Sequence, residues 1–202
     1  MIEAISNIIT NVLTALYQNF WFSVLAAVLF MFFYLYSQEH GRKDAIKILI
    51  DRFRKSGSFR RIFVLAVFTI MILMRTLLNR TMWKSTLGNI MGGWTLTDAN
   101  GNLTTEPIEN IILMIPFTSL LLWAIKDRVI KKPTMAHMVW TGLKFGFLFS
   151  VIIETLQLFL RLGTVQFADI FYNTLGGTIG GFIYYLCTKL KKKNPSVEEK
   201  EE

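Results

Sequence analysis

Residues 150–181 read SVIIETLQLFLRLGTVQFADIFYNTLGGTIGG, two strongly apolar segments joined by a short polar link. Both segments belong to apolar runs of about 20 residues, the length that an α-helix needs to cross the hydrocarbon core of a bilayer. Polar side chains nevertheless lie inside these runs: Glu154 and Gln157 in the first, and Asn173 in the second. Because such groups cost free energy in lipid, they generally face a protein interior or a cavity. The stretch predicts a helical hairpin that contributes polar side chains to a buried site.

The composition places the whole chain in the same class. Of its 202 residues 52% are hydrophobic, the mean hydropathy is +0.42, and the apolar residues come in blocks. We predict an all-α integral membrane bundle, residues 1–190, followed by a charged, disordered cytoplasmic tail at residues 191–202. Cys187 is the only cysteine, and His40 and His137 are far apart in the chain. We therefore expect no intrachain disulfide, no metal site and no cofactor.

Five apolar runs predict five transmembrane helices. An N-terminal segment with apolar residues at helical spacing is expected to approach the first helix along the membrane interface. Pro116 lies inside the third helix and is expected to kink it. The predicted helices span about residues 19–36, 62–78, 108–125, 138–160 and 170–188.

Two polar stretches between these runs carry local patterns of their own. Residues 44–55 read DAIKILIDRFRK, with basic residues on one face and apolar residues on the other. This pattern is typical of a helix that lies on an anionic leaflet. The Asn100-Gly101 pair predicts the turn of a small β-hairpin. The apolar face of residues 44–55 consists of Ile46, Leu49, Ile50 and Phe53.

The basic residues are shared unevenly between the two sides of the predicted bundle. Seventeen of the 22 Lys and Arg residues lie in residues 37–61, 126–137 and 189–202, and only three lie in the opposite loops. Because cytoplasmic loops carry an excess of Lys and Arg, we predict the N-terminus outside and the C-terminus in the cytoplasm. The same distribution favours membrane lipids, rather than nucleic acid, as partners of the +8 chain.

This topology brings polar side chains from four helices to one depth, near the outer leaflet. The second and fourth helices end on the outer side, and the third and fifth helices begin there. Glu154 and Gln157 share a face of the fourth helix because residues three apart are neighbours on a helix surface. The predicted ligand-binding cluster consists of Arg75, Arg80, Glu109, Asn110, Glu154, Gln157, Arg161, Asp169 and Asn173.

Glycines in the fifth helix are expected to support this cluster from below. Two overlapping G-x-x-x-G pairs allow the backbone of a partner helix to approach closely. A second interpretation of the cluster is purely structural, because its three acids and three bases can neutralise each other. The predicted packing glycines are Gly176, Gly177, Gly180 and Gly181.

Three blocks of the sequence carry a resemblance to a known family. Residues 109–117 read ENIILMIPF; the other two blocks are Ser150-x-x-x-Glu154-x-x-Gln157 and Asp169-x-x-x-Asn173-x-x-Gly176-x-x-x-Gly180. Together they resemble the VanZ-like family of small bacterial membrane proteins, which is named for a teicoplanin-resistance accessory protein. The resemblance implies a multi-pass protein of the bacterial cytoplasmic membrane that lowers the susceptibility of the cell to teicoplanin.

Three functions stay open for the predicted cluster. The first is an envelope accessory protein that binds a lipid-linked, peptidoglycan-related or lipoglycopeptide ligand, with arginines that hold an anionic group. The second is a membrane enzyme that uses Glu154 and Asp169 as acid and base. The third is a structural subunit of a membrane complex. An ion channel is disfavoured because the inner halves of the predicted helices are apolar apart from Lys144.

Overall fold

The computed structural model describes residues 2–38, 45–78, 87–97, 101, 103–129, 134–160 and 164–193, and helices dominate this part of the chain. The prediction of an all-α fold is therefore confirmed. The helix α3 continues directly into a π-helical turn at Met74–Leu78. The α-helices are α1 Ile2–Gln38, α2 Ala45–Lys55, α3 Gly57–Leu73, α4 Glu106–Val129, α5 Met135–Leu160 and α6 Phe167–Lys193.

The first helix is longer than the sequence predicted. The interfacial segment and the transmembrane helix form one continuous helix of 37 residues. The physical reason is that residues 2–38 contain neither Gly nor Pro, so nothing in the sequence breaks the helix. At the other end of the chain α6 continues to Lys193, and the remainder of the predicted tail, residues 194–202, lies outside the described residues.

The predicted β-hairpin is reduced to a single antiparallel bridge between Thr97 and Leu103. The backbone N–H of Thr104 also donates to the carbonyl of Leu96 at 2.9 Å. Gly101 has a φ of +81°, the left-handed conformation that the predicted turn requires. Residues 98–100 and 102 lie outside the described part of the chain, so the structure shows the closing pair of the turn and no longer ladder.

Within the described residues, three helical segments are long and apolar enough to cross a membrane: Gly57–Leu77, Glu106–Ile125 and Met135–Leu160. Ser23–Tyr36 is a shorter apolar segment within α1. Large apolar side chains also cover the outside of the bundle, as Phe33 and Phe159 show with 71% and 78% of their surface exposed. Extensive apolar surface of this kind marks a membrane or partner contact. The fold is therefore that of a helical membrane protein.

Close packing of α6 against both α4 and α5 forms the centre of the fold. Gly177 of α6 faces Gly142 and Gly146 of α5, and a Cβ atom on Gly177 would lie 2.8 Å from the Gly142 carbonyl oxygen. On the neighbouring face Gly180 contacts α4, where the Ser119 hydroxyl donates to the Gly180 carbonyl at 2.9 Å. The glycines of α6 therefore lie at contacts with two partner helices, α4 and α5. The α5–α6 pair is the antiparallel hairpin that the sequence predicted.

A second group of contacts attaches α3 to α4 and α5. Buried Ile72 of α3 packs with Met114 of α4 and Ile153 of α5. This packing brings the C-terminal ends of α3 and α5 beside the N-terminal ends of α4 and α6. The polar ends of four helices therefore meet at one end of the bundle, as the sequence predicted.

Candidate functional site

A layer of hydrogen-bonded polar side chains occupies this end of the bundle, and we refer to it as the polar layer. Seven of the nine predicted cluster residues lie in it, while Arg80 and Arg161 lie outside the described residues. The layer has two halves that differ in burial. The closed half consists of Ser150, Glu154, Gln157, Gln166 and Asn173; the open half consists of Asn11, Arg75, Thr105 and Glu109.

In the closed half, the polar groups of α5 bind groups on other segments. The Glu154 carboxylate, 4% exposed, accepts a hydrogen bond of 3.1 Å from the backbone N–H of Gln166. The Asn173 amide donates to the Ser150 hydroxyl at 2.9 Å and so joins α6 to α5. All four residues are buried. Because these contacts join different segments, this half braces the α5–α6 hairpin.

Gln157 extends the closed half to α3. Its Nε2 atom donates at 2.9 Å to the backbone carbonyl of Thr76, inside the π-helical turn. In a π-helix the backbone pairing shifts from four residues to five, and such turns frequently mark functional sites. The sequence predicted an ordinary helix here, since nothing in Met-Arg-Thr-Leu-Leu distinguishes a π turn from an α turn. The Gln157 Oε1 atom is buried and has no hydrogen-bond partner within the described residues.

The segment 87–97 covers the closed half from outside the bundle. The backbone N–H of Phe167 donates to the Ile90 carbonyl at 3.0 Å, and the Tyr172 hydroxyl donates to the Trp94 carbonyl at 3.1 Å. The Trp94 ring also packs against Phe171, with ring centroids 5.5 Å apart. These contacts hold the segment over the start of α6 and help to close the layer there.

In the open half, an ion pair is the central contact. The Arg75 guanidinium binds the Glu109 carboxylate, joining the π turn to α4. Arg75 keeps 22% of its side chain exposed, against 6% for Glu109. The Thr105 hydroxyl donates to the same carboxylate and accepts a hydrogen bond of 2.9 Å from the Asn11 amide of α1. A continuous chain of polar contacts therefore runs from α1 to Arg75.

A cavity of about 260 Å³ adjoins the open half. It lies between the first turns of α1, the segment that leads into α4, and α4 itself. Thr105 belongs both to the cavity wall and to the chain of contacts that ends at Arg75. The lining alternates uncharged polar residues with apolar ones, which suits an amphiphilic, uncharged group. It consists of Asn7, Ile8, Asn11, Leu96, Leu103, Thr104, Thr105 and Ile108.

The two halves are connected by Asn110 and Asp169. The Asn110 amide donates to the Asp169 carboxylate at 2.8 Å, so α4 is also tied to the first turn of α6. Both candidate catalytic carboxylates, Glu154 and Asp169, are thus buried and accept hydrogen bonds from protein donors. Neither contact favours the acid–base interpretation. The described residues also contain no group of three or more His, Cys, Asp and Glu that could hold a metal ion.

Sequence reasoning missed several members of the layer. Thr105 and Gln166 lie in segments that the sequence assigned to loops, and Asn11 lies in a segment that was expected at the membrane interface. For Thr105 a signal was present, because Thr104 and Thr105 directly precede the helix start at Glu106, where Thr side chains often cap a helix. For Asn11 the signal was a polar residue within an apolar periodicity. Neither signal indicated which helix Thr105 or Asn11 would contact.

The helical fold, its apolar outer surface and its buried polar layer define the class: a helical membrane protein with a polar layer at one end of its bundle. The family model described as VanZ/LLP1 matches residues 5–188, nearly the whole chain. The chain therefore belongs to the VanZ-like family, as the three sequence blocks predicted. Comparisons with curated proteins and with solved structures find no match.

Proposed function

We propose that this protein is a cell-envelope accessory protein of the bacterial cytoplasmic membrane. In this proposal it binds a lipid-linked, peptidoglycan-related or lipoglycopeptide ligand at the outer leaflet and lowers susceptibility to teicoplanin. Membership of the VanZ-like family supports the envelope context. The open half of the polar layer supports the binding role, because it combines a partly exposed cation with a cavity.

The proposed topology has five membrane-spanning helices, α1, α3, α4, α5 and α6. Three of them contain segments of sufficient length and hydropathy, and α1 adds the shorter apolar segment Ser23–Tyr36. α6 is 27 residues long and packs between α4 and α5, a position that is compatible with crossing the same bilayer. The excess of Lys and Arg in alternate loops favours an external N-terminus and a cytoplasmic C-terminus. The polar layer would then lie at the outer leaflet.

The observation that carries the proposal is that Thr105, which lines the cavity, also binds the Glu109 carboxylate of the Arg75–Glu109 pair. Among the described residues of the layer, Arg75 provides the cation. A planar guanidinium binds carboxylates and phosphates with two parallel hydrogen bonds. Glu109 would act as its counterion until an anionic ligand group arrives. The cavity of about 260 Å³ is slightly smaller than typical small-molecule pockets, so it would take one part of a larger ligand.

Binding measurements on the purified protein in lipid nanodiscs test this proposal. Teicoplanin and a lipid-linked peptidoglycan precursor are titrated separately, and binding is followed by the fluorescence of the five tryptophans. We expect saturable binding of at least one ligand, and a roughly tenfold weaker affinity in the Arg75→Gln variant, equivalent to about 1.4 kcal/mol. Lys144→Gln is the matched control, because Lys144 lies over Trp140, at 5.4 Å, away from the layer.

Two results would contradict the proposal. One is that neither ligand binds the wild-type protein. The other is that Arg75→Gln binds as tightly as the wild type and the Lys144→Gln control do. A resistance assay in cells provides the second readout, with loss of teicoplanin tolerance expected in a strain that carries Arg75→Gln.

A structural role for the polar layer is the second candidate function. The observation in its favour is that each contact of the closed half joins different segments of the bundle. In this case the protein would act as a subunit of a membrane complex, and the layer would only stabilise its fold. Retention of the cellular phenotype in a folded Arg75→Gln variant, together with co-purification of a membrane partner, would favour this candidate over ligand binding.

A further inference from the structure

The short helix α2 lies at the opposite end of the bundle from the polar layer. It connects the last turn of α1 to the first turn of α3, whose apolar segments are Ser23–Tyr36 and Gly57–Leu77. Ile48 and Leu49 pack against a buried group of residues in α1 and α3, which includes Met31 and Phe59. α2 is therefore fixed to the bundle at the edge of its apolar zone, where the headgroups of a bilayer would lie.

This attachment changes the amphipathic interpretation of residues 44–55. The sequence predicted that one face of the helix, towards lipid, carries Ile46, Leu49, Ile50 and Phe53. In the structure Leu49 packs inwards, whereas Ile50 and Phe53 keep 46% and 41% of their surface exposed. The Phe53 ring packs edge-on against Phe63 of α3, with ring centroids 5.5 Å apart. α2 consequently has one face bound to the protein and a second apolar edge that points outwards.

Basic side chains surround this outward edge. Lys47, Arg52 and Arg54 are exposed, and Lys55 pairs with Asp51 at 2.7 Å. The guanidinium of Arg60 in α3 donates to the Phe53 and Arg54 carbonyls, at 3.4 and 3.0 Å. This contact caps the C-terminal end of α2 and adds a further positive charge beside it. An open groove of about 580 Å³ lies along the helix, lined by Lys47, Ile48, Ile50, Asp51, Arg52 and Arg54.

We propose that this groove binds the phosphate-bearing headgroup of an anionic glycerophospholipid. The basic side chains provide the charge that complements a phosphate, and Ile50 and Phe53 provide an apolar surface for the first methylenes of the acyl chains. A free phosphate ion would use only the charges, whereas a lipid uses both features. The position of α2 at the edge of the apolar segments favours the lipid. Among the described residues this site shares none with the polar layer, so it is independent of the proposed ligand site.

The test uses the full-length protein purified in a neutral detergent. Phosphatidylglycerol or phosphatidylcholine is titrated, and the thermal unfolding midpoint is recorded. Retention of lipid is measured in parallel by native mass spectrometry. We expect phosphatidylglycerol to raise the midpoint and to be retained, and phosphatidylcholine to do neither. Equal effects of the two lipids would overturn the proposal, as would stabilisation by millimolar glycerol phosphate alone, which would indicate a site for phosphate rather than lipid.

Two variants that change the charge of the groove in opposite directions locate the site. In Arg52→Gln/Arg54→Gln the apparent affinity for phosphatidylglycerol is expected to fall, by about fivefold for each basic residue removed. In Asp51→Asn the affinity is expected to rise by a similar factor, because a negative charge leaves the groove. Lys189→Gln in α6 is the matched control and should bind as the wild type does. If the double variant does not fold, Asp51→Asn decides: tighter binding supports the site, and unchanged binding overturns it.

Discussion

The two halves of the polar layer are built from similar residues but differ in how deeply their side chains are buried. In the closed half, Glu154, Gln157 and Asn173 are buried and bind groups on other segments. In the open half, the Arg75 side chain is 22% exposed and a cavity lies beside Thr105. The difference shows that polar side chains within apolar helices can be used entirely for contacts between segments of the protein. What distinguishes the two halves is whether the polar groups remain reachable after the helices have packed.

Removal of Arg75 should have the largest effect on stability. Arg75→Leu leaves the carboxylate of Glu109, which is 6% exposed, without its cation. Removing one partner of a buried ion pair costs about 3 kcal/mol or more, so we expect a loss near that size in the free energy of unfolding. The measurement is unfolding in mixed micelles of increasing dodecyl sulfate content, followed by tryptophan fluorescence. Adding Glu109→Gln to Arg75→Leu should recover most of the loss; equal stability of Arg75→Leu and the wild type would disprove the pairing.

A substitution at Gly177 should destabilise the bundle beneath the closed half. A Cβ atom there would lie 2.8 Å from the Gly142 carbonyl oxygen and 2.9 Å from the Gly146 Cα atom, so the two backbones must separate. We expect Gly177→Ala to cost about 2 kcal/mol in the same unfolding assay. The control is Gly57→Ala, whose Cβ atom would meet, among the described residues, only Arg60, at 3.9 Å. Similar effects of the two substitutions would contradict the close α5–α6 packing.

Two substitutions of Glu154 test whether the closed half requires a hydrogen-bond acceptor or a negative charge at this position. Glu154→Ala leaves the buried N–H of Gln166 without this acceptor, which should cost about 1–2 kcal/mol. Glu154→Gln keeps an oxygen in the same place and should cost less than half of that. The comparison is made by thermal unfolding of both variants. If glutamine costs as much as alanine, the carboxylate charge has a role beyond this hydrogen bond, and the acid–base alternative regains support.

The bond between Asn173 and Ser150 should contribute the least. Hydrogen bonds between transmembrane helices contribute about 0.6 kcal/mol on average, so Asn173→Ala should lower the free energy of unfolding by roughly that amount. Ser150→Ala should cost about the same. Since both substitutions remove one shared bond, the double variant should be little worse than either single variant. Fully additive losses would show that the two side chains act independently.

The sequence predicted the fold well where a single helix carries the signal. Apolar runs of about 20 residues located α3, α4 and α5, and the link after Leu160 predicted the α5–α6 hairpin. The continuous α1 was missed at its beginning, where polar residues interrupt the apolar periodicity. The glycines of α6 predicted close packing, but the contribution of Gly142 and Gly146 was not foreseen, because small residues within an apolar run do not indicate their partner.

The contacts within the polar layer were harder to predict than its members. The prediction that Arg75, Glu109 and Asn173 lie at one end of the bundle followed from helix direction and length alone. Their partners depend on the rotation and axial position of each helix, which are set by side-chain packing between segments distant in the sequence. The Arg75–Glu109 pair joins residues 34 positions apart, and the Gln157–Thr76 bond joins residues 81 positions apart. The sequence therefore left the choice between an open site and a closed network undecided.

Labelling of introduced cysteines tests the central claim most directly: that the open half is reachable from outside the cell and the closed half is not. Cys187, the only native cysteine, is first replaced by serine, and Asn11→Cys or Ser150→Cys is added to that variant. Intact cells are then treated with a membrane-impermeant maleimide. We expect labelling of the Asn11→Cys variant, because Asn11 lines the cavity, and none of the Ser150→Cys variant, because Ser150 is 0% exposed. Labelling of Ser150→Cys, or labelling of Asn11→Cys only after the cells are broken, would contradict it.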